Sequence, residues 1–157
     1  MMNKKISGIS LLECLLAITL IAAISTMAVR YYIITLRSTH VSQAIAQVNR
    51  LTSASYEWLR LQNQANFSDE DTGQDISIQA LLQAELIQPN TDTIDPWGGA
   101  ITLSPGITDP SYVAITLAQL PKPDCLNLQQ QLSYINHSTI ENSCSSLTAT
   151  NTFTGEF

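Results

Sequence analysis

The distribution of apolar positions divides the chain. From Ile9 to Val29 almost every residue is apolar or small, and Glu13 is the only charged one. About 20 residues at roughly 1.5 Å each cross a bilayer, so this run is long enough to span one. Lys4 and Lys5 precede it, and Arg30 and Arg37 end it. Beyond Arg37 the pattern narrows to a stripe. Val41, Ala44, Ile45, Val48, Leu51, Ser55, Trp58 and Leu59 recur at three-and-four spacing, opposite Gln43, Gln47, Asn49, Arg50 and Glu57. No proline or glycine occurs between Ile9 and Gly73. The pattern therefore predicts one helix from Ile9 to about Gln64, roughly 80 Å long. It would be apolar all round in its first half and on one side in its second. Tyr31 and Tyr32 then fall at a membrane interface, and Trp58 in a core.

After the long helix the punctuation becomes dense. Asn66 to Asp75 reads as a solvated loop with four acids, lacking the residue order of a calcium-binding EF-hand. Asp75 is the expected cap of a short helix through Leu86, with Ile78, Leu81, Leu82 and Leu86 inward and Pro89 ending it. Asp95-Pro96-Trp97-Gly98-Gly99 and Ser104-Pro105-Gly106 bracket Ala100 to Leu103, and Tyr112 to Leu117 follows, which predicts an antiparallel hairpin. Asp124 is the expected cap of a third helix to Ile135, with Cys125, Leu128, Leu132 and Ile135 inward. A terminal strand is expected within Ser145 to Phe157. The predicted class is α+β, a long N-terminal helix packed on a small antiparallel β-sheet head.

The chain has 157 residues and a net charge of −6, one domain's worth plus an anchor. Without Lys4 and Lys5, five basic side chains face thirteen acidic ones, a net charge of −8. After Arg60 only Lys122 is basic. Nucleic-acid readers present a basic face, so direct nucleic-acid binding by the head is not expected. No enzyme is expected either. His40, on the exposed part of the long helix, and His137, in a turn, lack a cysteine or acid at ligand or triad spacing. Neither a metal nor a cofactor is implied. Asn66-Phe67-Ser68 and Asn136-His137-Ser138 match the glycosylation sequon, a tripeptide that also arises by chance.

Glu13 is the anomaly. A carboxylate within a membrane span costs a few kcal/mol or more, which makes it a functional hypothesis. If it lies near the membrane face it can instead snorkel. The string Gly8-Ile9-Ser10-Leu11-Leu12-Glu13, with Lys4-Lys5 before it and the apolar run after it, resembles the class III signal of type IV pilins and pseudopilins. The resemblance implies a leader over 1–8, cleavage by a prepilin peptidase between Gly8 and Ile9, and N-methylation of Ile9. It implies a filament-core helix over 9–36, a head over 37–157, and pairing of Glu13 with the Ile9 amine of a neighbouring subunit. An amine and a carboxylate that are each costly alone in an apolar core are tolerable together. Ile9 stands where the commonest subclass has phenylalanine, a departure more typical of type IVb pilins. The leader is shorter than most in that group.

No Cys-x-x-Cys pair occurs, and the spacing of Cys125 and Cys144 suggests a disulfide in an oxidising compartment, across the membrane from Lys4 and Lys5. That arrangement resembles the disulfide-bounded C-terminal region of pilins. Cys14 reads as a small apolar residue. Asp95-Pro96-Trp97-Gly98 is similar to a string in type II secretion pseudopilins, and Pro96-Trp97-Gly98-Gly99 to one in PilS-like type IVb pilins. The resemblance as a whole implies the pilin fold and a structural subunit of a type IV pilus. Its partners would be further copies of itself, the prepilin peptidase and the inner-membrane assembly platform. The subunit would sit in the bacterial inner membrane, head periplasmic, before assembly into an extracellular pilus. A periplasmic pseudopilin, a minor pilin, and a membrane-anchored binding domain that never polymerises stand as alternatives. An ordinary secretory signal, using Ala22-Ala23-Ile24-Ser25, would have Glu13 inside its apolar region.

Overall fold

A computed structural model describes residues 11–68, 75–134, 144 and 151–157. Gly8 and Ile9, most of the acidic loop, Ile135, the Asn136 sequon with His137, and residues 145–150 lie outside the described residues. The elements run α1 (Leu11–Gln62), α2 (Ile78–Gln83), β1 (Ile101–Pro105), β2 (Val113–Leu120), α3 (Lys122–Leu132) and β3 (Asn151–Glu156). The class is α+β, as the pattern predicts. Two compact units divide between Ser38 and Thr39.

In the first unit every described residue, 11 to 38, is exposed and helical. In the second, α1 packs against the sheet. Its buried residues are Val41, Ala44, Val48, Leu51, Ala54, Ser55 and Trp58, with Ile45 and Leu59 half-buried beside them. This is the expected stripe, and Ala54 widens it. Alternating three-and-four steps hold one face of a helix toward a partner.

β2 lies at the centre of a three-stranded antiparallel sheet, between β1 and β3. One face packs inward: Ile101, Leu117 and Phe153 form one cross-strand row, and Leu103, Ile115 and Gly155 the next. Both the hairpin and the terminal strand of the sequence reading are present. The register shifts between Leu117 and Leu120, where Gln119 takes φ 62°. Gly99 packs on that irregularity. A Cβ there would lie 2.1 Å from the Ala118 carbonyl oxygen, so no other residue fits without displacing the strand. Gly98, with φ 87°, supplies the left-handed step of the preceding turn.

Two helix starts differ from the expectation. Ser77 caps α2, not Asp75: its hydroxyl accepts from the Ala80 amide at 3.2 Å. The chain at Ile76 is held earlier by its own amide, which donates to the Phe67 carbonyl at 3.0 Å, and Ile76 is fully buried. Ordering by Ile76 thus delays the helix by two residues, about half a turn. α2 stops at Gln83 rather than Leu86, because Glu85 turns left-handed at φ 57°. α3 begins at Lys122, with Pro121 as cap residue and proline in its first turn, where a missing N–H costs nothing. Asp124 is therefore inside the helix and faces inward.

Candidate functional site

The exposed segment of α1 is long and apolar enough to cross a membrane. Four of its hydroxyl groups are satisfied within the helix. Thr19 donates to the Leu16 carbonyl at 2.9 Å, Ser25 to Ile21 at 2.8 Å, Thr26 to Ala23 at 2.8 Å and Thr35 to Tyr31 at 2.9 Å. Back-bonded hydroxyls add no unsatisfied polar group to an apolar environment. Glu13, in the first turn of the described helix, is different. It is exposed, and among the described residues it has no hydrogen-bond or ion-pair partner. Cys14 beside it is a free, exposed thiol. Arg30, Tyr31, Tyr32 and Arg37 are exposed toward the other end of the segment.

Four carboxylates of the head are held in the opposite way, buried and hydrogen-bonded. Asp95 accepts from the Trp97 amide at 2.9 Å and the Gly99 amide at 2.7 Å, closing the turn that reads as punctuation in the sequence. The Trp97 indole N–H donates to Asp124 at 2.9 Å, tying that turn to α3. Asp92 is buried, takes an ion pair from Arg50 at 3.0 Å and accepts from the Gln88 amide at 3.0 Å. Gln47 donates to the carbonyls of Thr91 and Ile94 at 2.9 and 3.1 Å. Gln47 and Arg50, on the polar side of α1, thus fasten the loop before β1, while Gln43 and Asn49 on the same side are exposed. Glu156 is buried and accepts from the amides of Ile107 and Thr108 at 2.7 and 3.2 Å, and from the Thr108 hydroxyl. It pins the β1–β2 turn.

His40 is half-buried rather than on an exposed part of the helix, with its ring edge-on to Trp97 at 6.1 Å between centroids. Trp97 therefore packs at a junction of three segments. Cys125 and Cys144 form a disulfide, with Cα atoms 5.7 Å apart, and both are buried. Tyr56 donates to the Phe157 carbonyl at 3.3 Å, and burial pushes its phenol pKa up, with Tyr112 adding to the effect. The hydrogen bond and charge of Glu57 push the Arg60 guanidinium pKa up in turn.

Two open grooves flank α2. One of about 470 Å³ is lined by Trp58, Gln62, Asp75, Gln79 and Gln83. Another of about 560 Å³ is lined by Ile78, Leu82, Asn90, Ile101 and Leu103. Neither gathers an acid, a base and a nucleophile. Among the described residues no three His, Cys, Asp or Glu side chains could hold a metal ion together.

Of the residues singled out by the sequence, the structure joins Cys125 to Cys144 and exposes Glu13, while Gly8 and Ile9 lie outside the described residues. The sequence reading places Asp95 in a turn and Asp124 at a helix cap, and foresees the burial of none of Asp92, Asp95, Asp124 and Glu156. Only Asp95 carries a local signal, an aspartate two residues before the amide it accepts from. Compared with protein-family models and with curated protein sequences, the chain matches none.

Proposed function

We propose that the chain is the structural subunit of a type IV pilus filament, cut by a prepilin peptidase after Gly8 and polymerised through its N-terminal helix. The observation that carries the reading is Glu13, which has no partner among the described residues, on a helical segment that is exposed on every side and carries no other charge as far as Val29. Such a carboxylate is poorly satisfied in a lone membrane-embedded subunit. The amine of a cleaved Ile9 on a neighbouring copy would supply its counter-charge, so assembly relieves a cost that insertion imposes. The back-bonded hydroxyls support the same reading, since they let the rest of the segment enter lipid or a helix bundle without further polar partners. The head, folded on its own disulfide and internal polar contacts, would then ride on the filament. Its chemistry is assembly, and adhesion, motility or uptake would belong to the polymer.

The Asp95-to-Gly99 turn also fits the pseudopilin branch, a short periplasmic filament of type II secretion, and does not separate the two. Immunogold electron microscopy of intact cells, with an antibody against Thr39 to Phe157, separates them. Gold along long extracellular fibres that vanish in Glu13→Ala is the expected result. Sparse gold at fibre tips would indicate a minor pilin, and a processed chain starting at Ile9 with no surface label would indicate a pseudopilin. An uncut, unlabelled chain, indifferent to Glu13→Ala, would leave a membrane-anchored monomer and end the filament reading.

A further inference from the structure

Four arginines lie on α1, and they fall into two pairs. In the head, Arg50 is ion-paired to the buried Asp92 at 3.0 Å, and Arg60 to Glu57. At the end of the apolar segment, Arg30 and Arg37 are exposed and have no ion-pair or hydrogen-bond partner among the described residues. The sequence offers none nearby, because no acidic residue occurs between Glu13 and Glu57. A chain of net charge −6 thus keeps two cations together, clear of acids, at the end of the run that is long enough to cross a membrane.

Their spacing fits a layer. Seven residues are close to two turns, so Arg30 and Arg37 share one face of the helix, about 10 Å apart along its axis. Tyr31 and Tyr32 lie between them and are exposed, and tyrosine is enriched at membrane interfaces. With Arg30 at the edge of the hydrocarbon, its long stem carries the guanidinium outward. Arg37 starts beyond that edge, and helical side chains lean toward the N-terminus, which brings it back to the same layer. The groups in that layer are lipid phosphates. A guanidinium matches a phosphate with two parallel hydrogen bonds, and each basic side chain near an anionic lipid surface adds to binding.

We propose that Arg30 and Arg37 bind the phosphate of an anionic phospholipid, in the leaflet at the C-terminal end of the segment, and so fix the depth of the helix. The site rests on the membrane-spanning reading of the segment and not on filament assembly. Its consequence falls on Glu13. That residue lies seventeen positions before Arg30, or about 25 Å, whereas the hydrocarbon layer is about 30 Å thick. With Arg30 held at one edge, the carboxylate stays about 5 Å inside the other. Without that hold, the segment can slide until Glu13 reaches water. The site thus maintains the burial cost that a counter-charge on a neighbouring copy would relieve.

The test uses the full chain carrying Lys4→Gln and Lys5→Gln, so that the opposite leaflet offers no basic contact. It is placed in phosphatidylcholine vesicles with a trace of spin-labelled phosphatidylglycerol or spin-labelled phosphatidylcholine. Electron paramagnetic resonance reads the fraction of each probe immobilised by the protein. The phosphatidylglycerol probe should associate about fivefold more strongly. Replacing both arginines, Arg30→Gln with Arg37→Gln, should make the two probes equal, and Arg60→Gln should leave the preference unchanged. A nitroxide on Cys14, the free thiol beside Glu13, should move about 5 Å toward its nearer surface when both arginines are replaced. Equal probes in the parent chain would overturn the proposal, as would a preference that survives the loss of both arginines. A nitroxide that stays in place would overturn the fixed depth. A chain that alkaline carbonate strips from the vesicles would end the spanning reading and the site with it, whereas an inserted chain without the preference ends the site alone.

Discussion

Two stretches of one helix are built on opposite rules. Between Leu11 and Ser38, α1 exposes every residue, apolar ones included, and its one carboxylate has no partner among the described residues. Between Thr39 and Gln62 the same helix buries a stripe of Val, Ala, Leu and Trp, and uses Gln47 and Arg50 to hold a loop. The backbone geometry is the same in both. What differs is where the energy is realised. The head gains its burial from its own chain, whereas the apolar segment gains nothing until lipid or another helix covers it. A helix can therefore be stable for two unrelated reasons along its length.

The sharpest way to break that comparison is to truncate one large apolar side chain in each region. Phe153 is fully buried under the sheet, and Ile24 is 60% exposed on the apolar segment. Phe153→Ala should destabilise the head by about 3–5 kcal/mol, from lost transfer energy and the cavity left behind. Ile24→Ala should leave head stability within about 0.5 kcal/mol. Urea unfolding of the full chain in detergent, followed by tryptophan fluorescence, reads the head alone, because Trp58 and Trp97 both lie there. A loss above about 1 kcal/mol from Ile24→Ala would show that the two regions are energetically coupled, and the comparison would fail.

A second experiment acts on a constraint that only the head has. The Cys125–Cys144 bridge spans 19 positions of sequence, and opening it with Cys144→Ser should cost about 3 kcal/mol on the chain-entropy account. The reduced wild type should match the variant. If both unfold at the midpoint of the oxidised chain, the bridge is not a constraint on the unfolded state.

These differences also explain what the sequence could and could not disclose. Long-period features were legible: the α1 stripe, the hairpin, the terminal strand and the α+β class all follow from spacing and turn residues, which act locally. The buried carboxylates were not. Asp124 stands where a cap is expected, and only the arrival of Trp97 from 27 residues away turns it inward. Glu156 looks like a solvated terminal acid until the β1–β2 turn folds over it, 48 residues distant. Ser77 outcompetes Asp75 as a cap because Ile76 must reach the core. Each error comes from a tertiary contact overriding a local preference. Glu13 was legible for the opposite reason: an acid in an apolar run needs no fold to look anomalous.

The smallest expected effect tests whether the seam between α1 and the sheet is closed to water. Tyr56 reaches from α1 to the Phe157 carbonyl and stands edge-on to Phe67, with ring centroids 5.3 Å apart. Burial raises its pKa above the ordinary value of 10.0. The folded state then holds the phenol proton more tightly than the unfolded chain does. Stability from this group is complete below pH 10, and it declines as the pH rises from the unfolded value through the raised folded one. In Tyr56→Phe that part of the alkaline decline should disappear, while at neutral pH the loss of one half-exposed hydrogen bond costs about 0.5–1 kcal/mol. Urea midpoints at a series of pH values from 7 to 11 resolve both. Identical alkaline slopes in the two proteins would mean that Tyr56 ionises as freely folded as unfolded, and that water reaches the seam as readily as it reaches the apolar segment.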